Sequence, residues 1–169
     1  IDFQINYSID ALFSATPKLG CLPLPVQFTK TSILARQYYW DFGDGSPLDT
    51  GKNPIHIYTK PGLFKVKLLA VDSFSCNVSE FDSTYIEVKE TPKADFEFKT
   101  EVCSNEFVFK NLSENAINPE WDFGDSSGIN KDNDPAHTFH KDGNFRVLLT
   151  VMHPVSGCID TQSALVPMF

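Results

Sequence analysis

The residues best suited to chemistry in this 169-residue chain are carboxylates and histidines that occur in two similar sets. Carboxylates can transfer protons or bind calcium, and histidine can transfer protons or bind zinc. Each set could therefore belong to a catalytic or a metal site. The two sets are Asp41, Asp44 and His56 and, 81 residues further on, Asp122, Asp125 and His137.

Neither set has the spacing of a known catalytic or metal site. A zinc site needs three or four ligands, and each set offers one histidine; His140 and His153 are extra histidines of the second copy without a counterpart in the first. The aspartates lack the regular spacing of a calcium loop, although calcium remains the alternative for acidic loops. The chain also contains no G-x-S-x-G, H-E-x-x-H or G-x-x-x-x-G-K motif. We therefore predict no enzyme activity, no metal and no cofactor.

The same residues suit a structural role in turns. An aspartate followed by glycine is typical of a turn in which the carboxylate accepts backbone N–H groups and glycine adopts a positive φ. We expect both tryptophans to fill a core and both histidines to bond a turn carbonyl. Serine in place of glycine at position 126 predicts a different turn in the second copy. The residues with a predicted structural role are Trp40, Asp41, Gly43, Asp44, His56, Trp121, Asp122, Gly124, Asp125 and His137.

The chain contains an internal repeat. Residues 26–71 align without a gap on residues 107–152, and 16 of these 46 positions are identical. The four cysteines also recur, and the two cysteines of each copy lie 55 positions apart. Between the copies each cysteine is shifted by 82 positions instead of 81, because one residue is deleted after Cys103 and one is inserted before Cys158. This compensation favours one disulfide within each copy, in an oxidising compartment, over free thiols, although sequence alone allows three pairings. The predicted bridges are Cys21–Cys76 and Cys103–Cys158.

The elements that carry these residues are predicted to be short β-strands. In Gly62–Leu68, Phe64, Val66 and Leu68 alternate with lysines, which predicts a strand with one wet face. Strands separated by Gly, Pro, Asn and Asp are typical of antiparallel sandwiches. We predict an all-β fold of two immunoglobulin-like β-sandwich domains. Residues 10–89 and 90–169 form the domains, and residues 1–9 are interpreted as a possible tail strand of a preceding repeat.

Three ordered motifs resemble those of the polycystic kidney disease (PKD) repeat. They are Trp40–Gly45, then Asn53-Pro54-Ile55-His56-Ile57-Tyr58, then Gly62–Leu68, and all three recur in the second copy. The resemblance implies tandem, non-catalytic β-sandwiches in an extracellular or cell-surface protein. The version with paired cysteines resembles repeats in bacterial proteins that use type IX secretion, including gliding adhesins.

Charge and hydropathy limit the possible partners. With 22 acidic and 14 basic residues the formal charge is −8, which argues against a nucleic-acid partner. No apolar run approaches the roughly 20 residues of a membrane helix, and the first residues lack a signal-peptide pattern. The expected partners are neighbouring repeats of the same chain and, in addition, a surface polysaccharide or another protein.

Two functions are compatible with these features. The favoured hypothesis is a spacer or adhesive segment of a larger surface or secreted protein. The alternative is a binding accessory of a secreted hydrolase that recognises polysaccharide or fibrous protein through exposed aromatic residues such as Tyr38, Phe81 or Tyr85.

Overall fold

The computed structural model describes residues 7–32, 34–101 and 104–168. The chain divides into two compact units, Ile1–Lys89 (unit 1) and Glu90–Phe169 (unit 2). Every regular element of the described residues is a β-strand. The predicted all-β class is therefore confirmed.

Unit 1 contains two sheets. The first has the order β1-β3-β5, and its pairs are antiparallel. The second has the order β2-β7-β6-β4, in which β2 runs parallel to β7 and the other pairs are antiparallel. The strands are β1 (Phe13–Thr16), β2 (Leu19–Cys21), β3 (Leu24–Lys30), β4 (Gln37–Asp41), β5 (Ile55–Tyr58), β6 (Gly62–Val71) and β7 (Ser79–Lys89).

Unit 2 also contains a three-stranded and a four-stranded sheet, but the fourth strand of its larger sheet lies at the other edge, beside β10 instead of beside the last strand. One sheet has the order β12-β9-β8 and the other β11-β10-β13-β14, and all their pairs are antiparallel. Its strands are β8 (Phe96–Thr100), β9 (Glu106–Asn111), β10 (Ile117–Asp122), β11 (Ile129–Asn130), β12 (Ala136–Thr138), β13 (Gly143–Met152) and β14 (Ile159–Met168).

Each unit has its own apolar core between its two sheets. In β6 the side chains of Val66 and Leu68 are fully buried, whereas Lys65 and Lys67 are exposed. This is the predicted alternation, because successive side chains of a strand point to opposite faces. Each core contains one tryptophan packed among phenylalanines, and no residue belongs to both cores.

The segment before β1 packs on unit 1. The Tyr7 hydroxyl donates to Asp72 Oδ2 at 2.7 Å, and Asn77 Oδ1 accepts from the backbone N–H of Ile9 at 3.0 Å. Ile9 is buried in the core of this unit. These residues form no strand, in contrast to the predicted tail strand of a preceding repeat; residues 1–6 of that prediction lie outside the described residues.

Within the part of the chain that the structure describes, no helix is long and apolar enough to cross a membrane.

Candidate functional site

The structure brings Asp44 and His56 together as a hydrogen-bonded pair. His56 Nε2 lies 2.7 Å from Asp44 Oδ2, and both side chains are mostly buried. The turn after β4 supplies the aspartate, and β5, which pairs with β3, supplies the histidine. The His56 ring stacks on Phe42 with ring centroids 4.0 Å apart and meets the edge of Tyr58.

Unit 2 builds the same pair. His137 Nε2 lies 2.7 Å from Asp125 Oδ2, and the imidazole stacks on Phe123 at 3.9 Å. The sequence predicted that the histidines bond a turn carbonyl, and this detail is wrong, because the acceptor is the turn carboxylate. A partly buried histidine prefers that partner since a hydrogen bond to a carboxylate is stronger than one to a neutral carbonyl.

The other carboxylate oxygen of each pair holds the turn. Asp44 Oδ1 accepts from the Ser46 backbone N–H at 3.0 Å and from the Ser46 hydroxyl at 2.6 Å. Asp125 Oδ1 accepts from the Ser127 backbone N–H at 3.0 Å. Each aspartate therefore ties its own turn to the strand that carries the histidine.

The electrostatics favour the ionised aspartate. Partial burial acts to raise the pKa of Asp44, but the hydrogen bonds from Ser46 and His56 outweigh burial and lower this pKa to about 2. The pKa of Asp125 is also lowered to about 2, because hydrogen bonds from Ser127 and His137 outweigh its desolvation. Each carboxylate is ionised at neutral pH and is therefore an effective acceptor for the hydrogen bonds from its serine and its histidine.

The order of contacts differs from that of a nucleophilic triad. In a triad the histidine bonds the serine hydroxyl and takes its proton, while the aspartate orients the histidine. Here the Ser46 hydroxyl and His56 both bond Asp44, so the aspartate is the central group. This arrangement orients a turn, and the Ser46 hydroxyl bonds the weakly basic Asp44 carboxylate instead of the imidazole.

The two tryptophans connect the core to the loop after the turn. Both are fully buried. Trp40 Nε1 donates to the Gly51 carbonyl at 2.9 Å, and Trp121 Nε1 donates to the Asp132 carbonyl at 3.1 Å. Each indole thus fills the core with its rings and fixes a loop with its N–H group.

Two glycines of the repeated motif allow close contact between strands. Gly43 has a φ of +78°, and a Cβ there would lie 2.5 Å from the Lys65 carbonyl oxygen. Gly124 has a φ of +72°, and a Cβ would lie 2.6 Å from the Arg146 carbonyl oxygen. Asp41 and Asp122 each accept from the N–H of the glycine two residues later at 2.9 Å.

The turn of unit 2 keeps its geometry despite its serine. Gly45 has a φ of +84°, and Ser126, at the same position of the second turn, has a φ of +68°. The prediction of a different turn geometry is therefore wrong. The hydrogen bonds to the preceding Asp125 hold the serine in a conformation that L residues rarely adopt.

The cysteines do not pair as predicted in unit 1. Cys21 takes part in a disulfide, whereas Cys76 is an exposed free thiol. Cys21 aligns with Lys89 at the end of β7, and Cys76 precedes the start of that strand at Ser79. The ten steps along β7 from Ser79 to Lys89 span about 33 Å. This is far beyond the Cα separation of about 6 Å that a disulfide allows.

The second predicted bridge is not confirmed either. Cys158 is buried and takes part in a disulfide, but Cys103 lies outside the described residues. Equal spacing in two copies shows only that both positions recur, because every copy of a repeat keeps its spacing whatever its cysteines bond.

Unit 1 has an exposed aromatic row on the outer face of its larger sheet. Tyr39 of β4 is the register partner of Leu69 in β6, and Leu69 is the partner of Phe81 in β7. Phe81 and Tyr85 are 69% and 54% exposed. The Lys65 ammonium lies 6.0 Å from the centre of the Tyr85 ring.

The third aromatic residue suggested by the sequence is not available at the surface. Tyr38 is only 6% exposed and belongs to the core of unit 1. Because β4 alternates, burial of Tyr38 places the neighbouring Tyr39 on the outer face, where it is half-buried. Tyr39 is therefore the aromatic residue of β4 that sequence reasoning missed.

The described residues contain no group of three or more His, Cys, Asp or Glu side chains that could hold a metal ion.

Comparisons with known proteins found a family model and several solved structures similar to this chain. The family model described as "PKD domain" matches residues 19–88 and 89–166. Among solved structures, the PKD1 domain of the Vibrio cholerae metalloprotease PrtV is 28% identical, with 46% of this chain and 96% of that chain covered and a TM-score of 0.42. The PKD1 domain of Vibrio anguillarum Epp is 25% identical, with 46% and 93% covered and a TM-score of 0.42. A structure described for carbohydrate-binding modules of the β-sandwich superfamily is 17% identical, with 96% and 79% covered and a TM-score of 0.47. Because the family model spans most of the chain in two consecutive matches, this chain belongs to the PKD domain family and carries two copies of the domain.

Proposed function

We propose that the two PKD domains form a non-catalytic spacer or adhesive segment of a larger bacterial surface or secreted protein. PKD domains are extracellular structural and interaction modules of secreted bacterial proteins, and they are accessory rather than catalytic. Export through type IX secretion, and a role in gliding adhesion, belong to this proposal through the resemblance of the cysteine-bearing repeats. The segment separates or presents whatever its neighbours in the chain carry.

The observation that carries this proposal is the parallel pairing of β2 with β7 in unit 1. Leu19, Gly20 and Cys21 align with Glu87, Val88 and Lys89. The Glu87 N–H donates to the Lys18 carbonyl at 2.8 Å, and the Leu22 N–H donates to the Lys89 carbonyl at 3.1 Å. When the unit is pulled from its ends, parallel strands slide along each other, so that these bonds resist together instead of opening one by one.

Single-molecule pulling of the full chain between flanking handles tests the spacer function. In reductant, which removes the disulfide restraint on Cys21 and Cys158, we expect two separate unfolding events, because each unit has its own core. The unfolded chain of each unit should reach about 28 nm, since some 80 residues extend by about 3.5 Å each. One combined event, or gradual extension without force peaks, would contradict a spacer built from two independent units.

A second function, binding of a polysaccharide or fibrous protein as a hydrolase accessory, is favoured by the exposed aromatic row of unit 1. The register positions in unit 2 that correspond to Tyr39, Leu69 and Phe81 are polar. They are Glu120, Thr150 and Thr161. An apolar sheet face present in only one copy is not required by the fold, and exposed apolar patches commonly mark binding surfaces.

Retention on insoluble polysaccharides and on collagen tests this second function. Phe81→Ala and Tyr85→Ala should each reduce retention severalfold, because aromatic faces supply most of the contact area. Leu165→Ala is the matched control, since Leu165 pairs with Arg146 in unit 2 as Tyr85 pairs with Lys65 in unit 1. Equal retention of all variants, or an equal loss with Leu165→Ala, would contradict the accessory function.

A further inference from the structure

Unit 1 contains an open pocket with a basic lining at the edge strand β4. Its volume is about 530 Å³, within the range of small-ligand sites. Lys30, Arg36 and Lys52 contribute to the lining together with Tyr38 and Tyr39, and none of the lining residues is acidic. Three cations thus converge on one pocket of a chain whose net charge is −8.

The lysines of this pocket lack carboxylate partners. Lys30 Nζ donates to the Ser32 carbonyl at 2.9 Å and lies 4.6 Å from the centre of the Tyr38 ring. Among the described residues, no carboxylate lies within ion-pair distance of Lys30 or Lys52. The charges of Lys30 and Lys52 are therefore available to an anion that enters the pocket.

One carboxylate lies beside the arginine. Arg36 Nε is 3.5 Å from Asp72 Oδ2, and its guanidinium carbon lies 4.5 Å from the centre of the Phe74 ring. The Asp72 side chain is 1% exposed and also accepts from the Phe74 N–H and the Tyr7 hydroxyl. Asp72 therefore orients the Arg36 side chain. Because Asp72 is not among the lining residues, the lining itself has an excess of positive charge.

Unit 2 has a pocket of similar size at its strand β10, and four of its eight lining positions correspond to those of the unit 1 pocket. It measures about 490 Å³, and its lining includes Asn118, Pro119 and Glu120. The ammonium of Lys131, also in the lining, lies 2.7 Å from Glu120 Oε1. The repeat alignment places Asn111, Ile117, Asn133 and Glu120 where unit 1 has Lys30, Arg36, Lys52 and Tyr39.

The repeat alignment shows that the cations are specific to unit 1. Unit 2 has Asn111, Ile117 and Asn133 at the positions of Lys30, Arg36 and Lys52 and still forms a β-sandwich. The fold therefore does not require these side chains. Guanidinium and ammonium groups bind carboxylate and sulfate groups, and the half-buried Tyr39 offers an aromatic wall for the C–H face of a sugar ring.

We propose that this pocket binds an acidic glycan, with the carboxylate or sulfate group between Lys30, Arg36 and Lys52 and a sugar ring against Tyr39. This inference deepens the second proposed function and rests on it in part, since Tyr39 belongs to both surfaces. The pocket's cations do not belong to the aromatic row, so Lys30→Asn and Lys52→Asn test the pocket, whereas Phe81→Ala tests the row. Loss of glycan binding would leave the unfolding events of the pulling experiment unchanged.

Calorimetric titration of the full chain tests the proposal. The probes are tetragalacturonate, a sulfated dextran fragment and neutral maltotetraose. Both acidic probes should bind, more weakly as salt rises, and the neutral probe should not. Because each partly exposed charge pair contributes up to about fivefold in affinity, the double variant Lys30→Asn and Lys52→Asn should bind the acidic probes about tenfold more weakly.

The substitutions copy unit 2, whose asparagines already occupy these positions in the same fold. Lys131→Asn is the matched control, because it removes one positive charge from the pocket of unit 2 and should leave affinity unchanged. Equal binding by the double variant, equal binding of the neutral probe, or an equal loss with Lys131→Asn would overturn the proposal. Hexaglutamate that binds as tightly as tetragalacturonate would overturn the assignment to a glycan.

Discussion

At the scale of single residues, the Asp–His pairs organise both units. Each pair joins the turn after the tryptophan strand to the strand that carries the histidine, with 2.7 Å between nitrogen and oxygen. The stacked phenylalanine shields the imidazole from water on one side. Because the pair recurs with the same geometry in two units that share no core residue, we interpret it as a requirement of the domain rather than of one ligand.

The lowered aspartate pKa values predict how stability depends on pH. A carboxyl group whose pKa is lower in the folded than in the unfolded chain contributes stability above the unfolded pKa, and this stability is lost as pH falls through the folded pKa. Asp44 and Asp125 fall from 3.8 to about 2. Each should therefore contribute about 2 kcal/mol at pH 5 and above, lost between about pH 4 and pH 2.

Urea unfolding at pH 2 to 6, followed by tryptophan fluorescence, measures this contribution, since each unit has one tryptophan. Asp44→Asn keeps an acceptor oxygen but removes the charge, so the transition of unit 1 should lose the share of its pH dependence that Asp44 contributes. The rest should remain, because the Phe74 N–H holds the pKa of Asp72 below its usual range as well. Unit 2 remains the internal reference. A transition of unit 1 with the same pH dependence in both proteins would refute the role of Asp44.

Ser126 gives a second prediction at this scale. A non-glycine residue at positive φ costs about 1–2 kcal/mol, and glycine loses about 0.4–1 kcal/mol more backbone entropy on folding. Ser126→Gly should therefore stabilise unit 2 by about 0.5–1 kcal/mol in thermal or urea unfolding. Gly45→Ser, the reciprocal change, should destabilise unit 1 by a similar amount, and the same sign for both changes would argue against backbone strain.

At the scale of elements, the turn after β4 lies directly against β6, and a glycine makes this close approach possible. The space between Gly43 and the Lys65 carbonyl leaves no room for a Cβ atom, whereas a Cβ at Gly45 would meet nothing within 4 Å. Both glycines have positive φ. The two positions therefore separate the cost of backbone conformation from the cost of a collision.

Substitution of these two glycines tests the close approach. Gly43→Ala should destabilise unit 1 by more than about 2 kcal/mol, because it combines an unfavourable φ with a backbone collision. Gly45→Ala should cost only the conformational part, about 1 kcal/mol. Unfolding free energies from urea titration give the comparison, and similar losses for both variants would show that the turn moves away from β6 easily.

At the scale of the whole molecule, the two copies differ in charge more than in fold. Unit 1 carries 8 basic and 9 acidic residues, whereas unit 2 carries 6 and 13. The basic pocket and the exposed aromatic row both lie in unit 1. In unit 2 Asn111 and Asn133 replace the two lysines, and Glu120, Thr150 and Thr161 replace Tyr39, Leu69 and Phe81. Unit 2 thus shows that the fold forms without the basic pocket and the aromatic row, which are additional features of unit 1.

The fold and the family were predictable from the sequence by itself. Alternation at period two identifies the inner residues of β6 and β13 without any long-range information, because a strand must place successive side chains on opposite faces. The repeated Trp-Asp-Phe-Gly-Asp motif likewise indicates a turn next to a core tryptophan. These features depend on neighbours along the chain, which a sequence lists directly.

Only the tertiary structure decided which side chains meet across strands. The bond from His56 to Asp44, the separation of Cys21 from Cys76 and the convergence of three cations depend on sheet order and register. A shift of one residue in register exchanges the two faces of a strand, so Tyr38 and Tyr39 could not be distinguished from composition. Local chemistry thus determined the elements and their turns, whereas distances between residues far apart in the chain determined the pairs, the free thiol and the pocket.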